Sequence, residues 1–378
     1  MALVLTDEQA MIREAADGFF ASEAPVSELR RLRDAADATG FSRDLWKQMA
    51  EMGFAGVLVP EAHGGSGLGL VAANLIQEAV GRNLSLSPFL STAVLGATAL
   101  SGASEDQKAA LLPKLAAGDL LLALASDEAS RHAPHLIRTR AEAAGNGFRL
   151  TGAKTFVLDG HVADRLIVAA RTSGEDGDRD GITLFLLDPK AAGVDVRRTI
   201  MVDSRNAADI RFDGVQVDGA DVIGAVGEGA AILDRVLDAG RTCLAAEMVG
   251  VSAQSFSMTV GYLKERDQFG RKIGSFQALQ HRAAQLYCEI ELAKSATLKA
   301  AQALDAGDKD APLYASLAKA KAGAVARLAT NEGVQMHGGI GMTDEYDIGF
   351  YMKRARAAET SFGDLSFHGD RLARMLGY

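Results

Sequence analysis

Cysteine is nearly missing from this chain. Among 378 residues there are only Cys243 and Cys288. They are too few for a disulfide framework, and that scarcity points to a reducing compartment, the cytoplasm. Both fall in helical stretches and read as core residues rather than nucleophiles. Excess positive charge is missing too. The formal net charge is −9, which argues against nucleic acid as a partner, since such proteins carry a basic footprint. An anionic substrate is not excluded, because a local Arg/Lys cluster can hold one. No run of about 20 apolar residues occurs, so no membrane span is expected. Met1 to Leu5 is too short for the apolar core of a signal peptide. It leads straight into Thr6-Asp7-Glu8-Gln9, a helix-start signature. Internal repeats and low-complexity tails are also lacking.

What the chain does have is apolar mass. It is 48% apolar, enough for a full core, and its length suggests about two or three domains. From Thr6 to about Ala117 apolar residues recur at helical spacing, as in Leu45, Met49 and Met52. From about Leu120 to Gly224 short β-rich runs take over: 148–151, 165–170, 182–187, 194–197 and 209–212, separated by turn residues such as Asp213-Gly214. Helical patterns return over 228–267, 275–305, 310–338 and 344–374. This order predicts an α+β fold with segregated layers. It comprises an N-terminal helical domain (1–119), a central antiparallel β domain (120–226) and a C-terminal helical bundle (227–378).

Two stretches carry chemistry. Residues 262–281 contain Arg266, Phe269 and Gly270. Arg266 offers fixed bidentate donors suited to a pyrophosphate, Phe269 a flat face for a purine, and Gly270 a backbone free to turn beside them. Residues 335–342 contain Gln335, Gly338 and Gly339 after a long helix, a turn that caps the helix and can bring phosphate to bare backbone. His337 within it reads as a packing residue. Gly53–Gly69 forms a Gly-rich loop, followed by Glu78-Ala79-Val80-Gly81-Arg82. His132 and His135 are three apart, but no third ligand accompanies them and no metal site is expected.

Taken in order across some 300 residues, these motifs resemble the acyl-CoA dehydrogenase family. The resemblance implies that family's fold, with its C-terminal four-helix bundle. It implies FAD lying between the β domain and the bundle and across a subunit interface, in a homo- or heterotetramer. It assigns Arg266, Phe269, Gly270, Gln277, Gln335, Gly338 and Gly339 to FAD. Phe156 and Leu158, in Phe156-Val157-Leu158-Asp159-Gly160, stand where the family flanks the flavin ring. Leu158 lacks the hydroxyl that usually tunes the ring. The loop Ser126–Pro134 departs from the family's substrate and flavin loop. The implied reaction is oxidation of an acyl-CoA thioester to the 2,3-enoyl-CoA, with electrons passed to an electron-transfer flavoprotein.

That chemistry needs a carboxylate to remove the α proton. By the resemblance, one family position for it holds Phe362, before Gly363. The other, before Arg241, holds Gly240. Glu247 lies two helical turns beyond Gly240 on the same face, roughly 10 Å further, in an apolar stretch where a lone carboxylate is costly. It reads as a displaced base facing the acyl cavity, as the polar floor of that cavity, or as a structural ion pair. Glu359 is a weaker candidate, with Arg356 as its surface partner at i, i+3. The rival functions are a non-catalytic or half-site subunit of a heterotetramer, a flavin monooxygenase or oxidase on the same fold, and a pure CoA- or flavin-binding module.

Overall fold

The structure is a computed structural model and describes residues 3–378. In chain order its helices are α1 (Asp7–Glu23), α2 (Val26–Asp34), α3 (Arg43–Glu51), α4 (Gly69–Asn83), α5 (Ala97–Leu100), α6 (Glu105–Ala116), α7 (Ala230–Glu265), α8 (Gln277–Asp305), α9 (Ala311–His337), α10 (Ile348–Thr360) and α11 (Leu365–Met375). The strands are β1 (Leu122–Ala125), β2 (Arg140–Ala144), β3 (Gly147–Leu158), β4 (Arg165–Arg171), β5 (Ile182–Leu187), β6 (Val194–Ile200), β7 (Asn206–Asp218), β8 (Val222–Ile223), β9 (Asp267–Gln268) and β10 (Arg271–Lys272). These elements form two compact units built from interleaved stretches. One gathers residues up to 35, 70–86 and 241–378; the other gathers 36–69 and 87–240. The N-terminal third is thus divided between the two.

In the helical unit, the start signature at Thr6 forms a full capping box with Gln9, satisfying two orphan donors of the first turn. Helices α8, α10 and α11 all pack on α9, whose buried positions are mostly small residues, alanine above all. Where α4 meets α7, two glycines are packed backbone to backbone. A Cβ on Gly81 would stand 2.1 Å from the Glu247 carbonyl, and one on Gly250 would stand 2.0 Å from the Glu78 carbonyl. No side chain fits, so these glycines set how closely the helices cross. The helix read over 344–374 is broken in two. Phe362 and Gly363 take left-handed backbone, with φ of 55° and 108°. Asp364 then accepts from the Phe367 amide and starts α11.

The other unit holds the sheet, ordered β6-β7-β3-β2-β4-β5-β8, with β1 on β4. It is antiparallel except that β1 runs parallel to β4 and β2 touches β4 in parallel at one residue pair. Strands β4 and β5 are buried almost throughout, which their unbroken apolar runs express. In β6, partly buried positions alternate with exposed ones over most of the strand, as in a strand with one wet face. The β3–β7 ladder slips between Lys154 and Val157. That bulge throws Phe156 into left-handed backbone at φ 53°.

Candidate functional site

The Arg266 element is a miniature hairpin that periodicity does not reveal. Strands β9 and β10 pair antiparallel through Gln268–Arg271 and Asp267–Lys272. The two turn residues, Phe269 and Gly270, both have positive φ, 55° and 76°, as a two-residue type I′ turn requires. Glycine does this freely; a phenylalanine there is strained, and such strain persists where the surroundings enforce it. Phe269 is 90% exposed, with its ring edge-on to Phe276 at 6.2 Å. Arg271 covers the Phe276 ring at 4.0 Å. Lys272 ties the hairpin to the end of α7, donating to the Glu265 carbonyl and to Asp267. Arg266 is exposed beside the turn, and Gln277 opens α8.

The Gln335–Gly339 turn belongs to the same end of this unit. Its amide Gly338 N–H caps α9 by donating to the Gln335 carbonyl. Gln335, Gly338 and Gly339 are exposed. His337 is buried; its ring nitrogens meet the Gly333 carbonyl at 2.6 Å and the Tyr346 hydroxyl at 3.1 Å. Burial pushes its imidazole below the usual range. Tyr262, one turn before Arg266, lies against the His337 ring at 4.6 Å. His337 therefore joins the two motifs: it packs the end of α7 against the end of α9. An exposed guanidinium, a bare aromatic face, exposed amides and uncovered glycine backbone gather there, a donor set that fits a dinucleotide.

In the sheet unit, Phe156 stands 52% exposed on the bulge, and Leu158 is half-buried. Neighbouring Thr155 donates to Asp209 at 2.7 Å. The loop Ser126–Pro134 is tied internally. Asp127 meets His132 at 2.9 Å, and Glu128 accepts from Lys154 at 2.6 Å and from the amides of Arg138 and Thr139. His135 turns instead to Asp234. The two histidines serve different carboxylates, and no metal-binding cluster occurs among the described residues.

Asp159, quoted above only within the Phe156–Gly160 segment, has a partner of its own. Its carboxyl accepts from the Ser91 hydroxyl at 2.6 Å, and burial pushes its pKa up to about 6. An acid raised this way binds more protons folded than unfolded between about pH 4 and 6, so its contribution falls as pH rises through that window. The penalty is complete above about pH 6. Asp159→Asn keeps an acceptor for Ser91 and should stabilise the protein by about 1–3 kcal/mol at pH 7.5. The gain should shrink toward pH 4.5. Urea unfolding at both pH values checks this; an equal effect at both would refute it.

The two positions that the resemblance marks for a base hold Gly240 and Phe362, neither of them a carboxylate. Arg241 follows Gly240 and donates from Nε to the Phe362 carbonyl at 3.2 Å. Lys319, missed in the sequence, is fully buried on α9 and donates to the carbonyls of Glu359 and Gly363, each at 2.9 Å. Burial pushes its pKa down to about 7. A single lysine on an alanine-rich buried face was the available signal. Glu247 is 0% exposed. One oxygen accepts from Gln77 at 2.7 Å, the other from Arg354 at 3.2 Å. Both oxygens are engaged, so the expectation of a carboxylate presented to an acyl cavity gives way to a buried ion pair. Glu359 pairs with Arg356 as expected, yet it is buried and also meets Arg327 at 3.1 Å. Cys243 lies in the core as read; Cys288 does not, because α8 turns that face outward.

Residues 6–119, 123–215 and 227–377 match the N-terminal, middle and C-terminal domains of acyl-CoA dehydrogenase. The chain belongs to the acyl-CoA dehydrogenase family. It is 31% identical to a probable acyl-CoA dehydrogenase, YngJ, of Bacillus subtilis, over 98% of each chain. Among solved structures it resembles the Tcur3481-Tcur3483 steroid ACAD G363A variant, with TM-score 0.89 and 31% identity over 98% of each chain. The ChsE4-ChsE5 complex from Mycobacterium tuberculosis is similar as well, with TM-score 0.89 and 26% identity over 100% of this chain and 99% of that one. The chain thus has the acyl-CoA dehydrogenase fold, in a family of flavoprotein enzymes. Among the described residues no helix is long and apolar enough to cross a membrane.

Proposed function

We propose that this acyl-CoA dehydrogenase family member uses FAD to oxidise an acyl-CoA thioester to the 2,3-enoyl-CoA and passes the electrons to an electron-transfer flavoprotein. The observation that carries this is the cradle at the end of the helical unit, where Tyr262 against His337 brings the Arg266–Gly270 hairpin beside the Gln335–Gly339 turn. Arg266 would hold pyrophosphate, Phe269 would stack on adenine, and Gln277, Gln335, Gly338 and Gly339 would complete the contacts. Phe156 and Leu158 would flank the ring. FAD, when bound, supplies the acceptor for the hydride that leaves the β carbon. The chain's own part is to hold and orient both ligands and to keep water out.

Losing a charge-assisted bidentate contact costs about 1.5–3 kcal/mol. Arg266→Ala should therefore purify folded but largely colourless, read as the flavin-to-protein absorbance ratio. Full retention of yellow flavin would count against the cradle.

A second reading is favoured by the pairing of Arg241 with Phe362 and of Glu247 with Arg354. With no free carboxylate supplied at either family position, this chain would be the flavin-holding half of a heteromeric assembly whose other chain brings the base. Glu247 could serve as base only by leaving Arg354.

A further inference from the structure

We propose that the helical unit carries a second ligand site, a cavity among α1, α4, α7 and α8 that takes a small apolar carboxylate bearing a hydroxyl or carbonyl oxygen within its apolar body. The cavity measures about 630 Å³, within the range of small-molecule sites. Its walls are Leu75 of α4, Val249 of α7, and Leu298 and Ala301 of α8. The lining takes in neither Arg241, Phe362 nor Glu247. It is thus separate from the region where the family's base is expected.

Two polar groups in this apolar wall call for a ligand atom. Asn74 and Thr297 are both more than nine-tenths buried and both line the cavity. The Asn74 carbonyl oxygen accepts from the Cys243 thiol at 3.0 Å, and burial keeps that thiol protonated, well above its ordinary range. This fixes the amide and leaves Nδ2 with no hydrogen-bond partner; Thr297 Oγ1 has none either. A buried donor left without an acceptor is costly. An oxygen on a bound molecule would satisfy both groups, whereas a plain hydrocarbon would satisfy neither.

The rim selects the sign of the ligand's end. Arg82 is held between Glu78 at 3.3 Å and Asp17 at 3.7 Å. Lys294 is held by Glu291 at 2.7 Å. Arg13 also lines the cavity, is exposed, and lies within charge range of Glu78. Arg13, Arg82 and Lys294 line the mouth against Asp17 and Glu78, so the balance there is positive, and a carboxylate is what an exposed guanidinium binds well.

The test is calorimetric titration of the flavin-loaded full chain with a mid-chain hydroxylated decanoate, with decanoate and decylamine as comparators. The hydroxylated acid should bind about tenfold tighter than decanoate, which corresponds to one recovered hydrogen bond. Decylamine should not bind. Thr297→Val, which keeps the side-chain shape, should cut the hydroxyl's advantage and leave decanoate unchanged. Arg13→Gln should weaken both acids about tenfold. Uptake of the acids elsewhere in the protein would leave both variants with parental affinity, and that result would overturn the proposal. Absence of heat with either acid would overturn it too, as would equal binding of decylamine.

Discussion

Arg354→Met should lower the stability of the helical unit by about 3–5 kcal/mol. Arg354 is 1% exposed and Glu247 is 0% exposed. Removing the guanidinium takes the buried cation from a carboxylate in the core, to which the Gln77 amide still donates at 2.7 Å. It also removes the donor to the Leu84 carbonyl at the end of α4. The penalty comes from the abandoned charge more than from the lost attraction, so the double variant Arg354→Met with Glu247→Leu should recover much of the loss. The Lys108–Glu105 pair on α6, with its glutamate in solvent and its lysine half-buried, provides the contrast. Lys108→Ala should cost under about 1 kcal/mol. Urea unfolding followed by far-ultraviolet circular dichroism measures all three. A single-variant cost as small as that of Lys108→Ala would sink the ion-pair account and reopen Glu247 as a carboxylate with freedom to act.

The same pair marks where sequence reading runs out. Local signals were legible because their physics is local. The Thr6–Gln9 box closes within one turn, and the unbroken apolar run Ile182–Leu187 is a strand with both faces covered. The Arg266 and Gln335 motifs stand out in the sequence because their residue types would suit a ligand's chemistry. What could not be read is non-local. Arg354 and Glu247 are 107 residues apart, and nothing near Glu247 announces its partner. The apolar neighbours of Glu247 signalled burial correctly, but burial serves an ion pair as well as it serves an acyl cavity. The β9–β10 hairpin escaped notice because its strands have two residues each and its turn opens on Phe269 instead of the usual Asn or Gly. The break at Phe362 was hidden for a related reason: helical periodicity continues on both sides of it, and only the backbone reverses.

Phe362→Glu should raise acyl-CoA turnover of the purified homomer by about 100- to 10,000-fold, the usual worth of a positioned general base. By the resemblance, Phe362, before Gly363, stands where the family's base is expected, and its left-handed backbone at φ 55° is already imposed on a non-glycine residue. Its carbonyl is pinned by Arg241 at 3.2 Å, and the next carbonyl by Lys319 at 2.9 Å. The new side chain would therefore replace a ring on a fixed scaffold without repositioning the loop. Two buried cations beside it would hold the carboxylate ionised at neutral pH, the form that accepts a proton. The new carboxylate should in turn draw the Lys319 ammonium up from about 7. Anaerobic titration with a panel of acyl-CoAs reads the outcome as bleaching of the flavin. On the heteromeric reading the parent chain should bleach slowly by itself and fast only when co-expressed with a base-carrying homologue. Fast bleaching by the parent homomer would mean that the chain already supplies a base, with Glu247 first in line to be tested by Glu247→Gln. If Phe362→Glu retains its flavin and still bleaches no faster than the parent with any acyl-CoA, position 362 does not face the reacting carbon and the assignment of the empty base site fails.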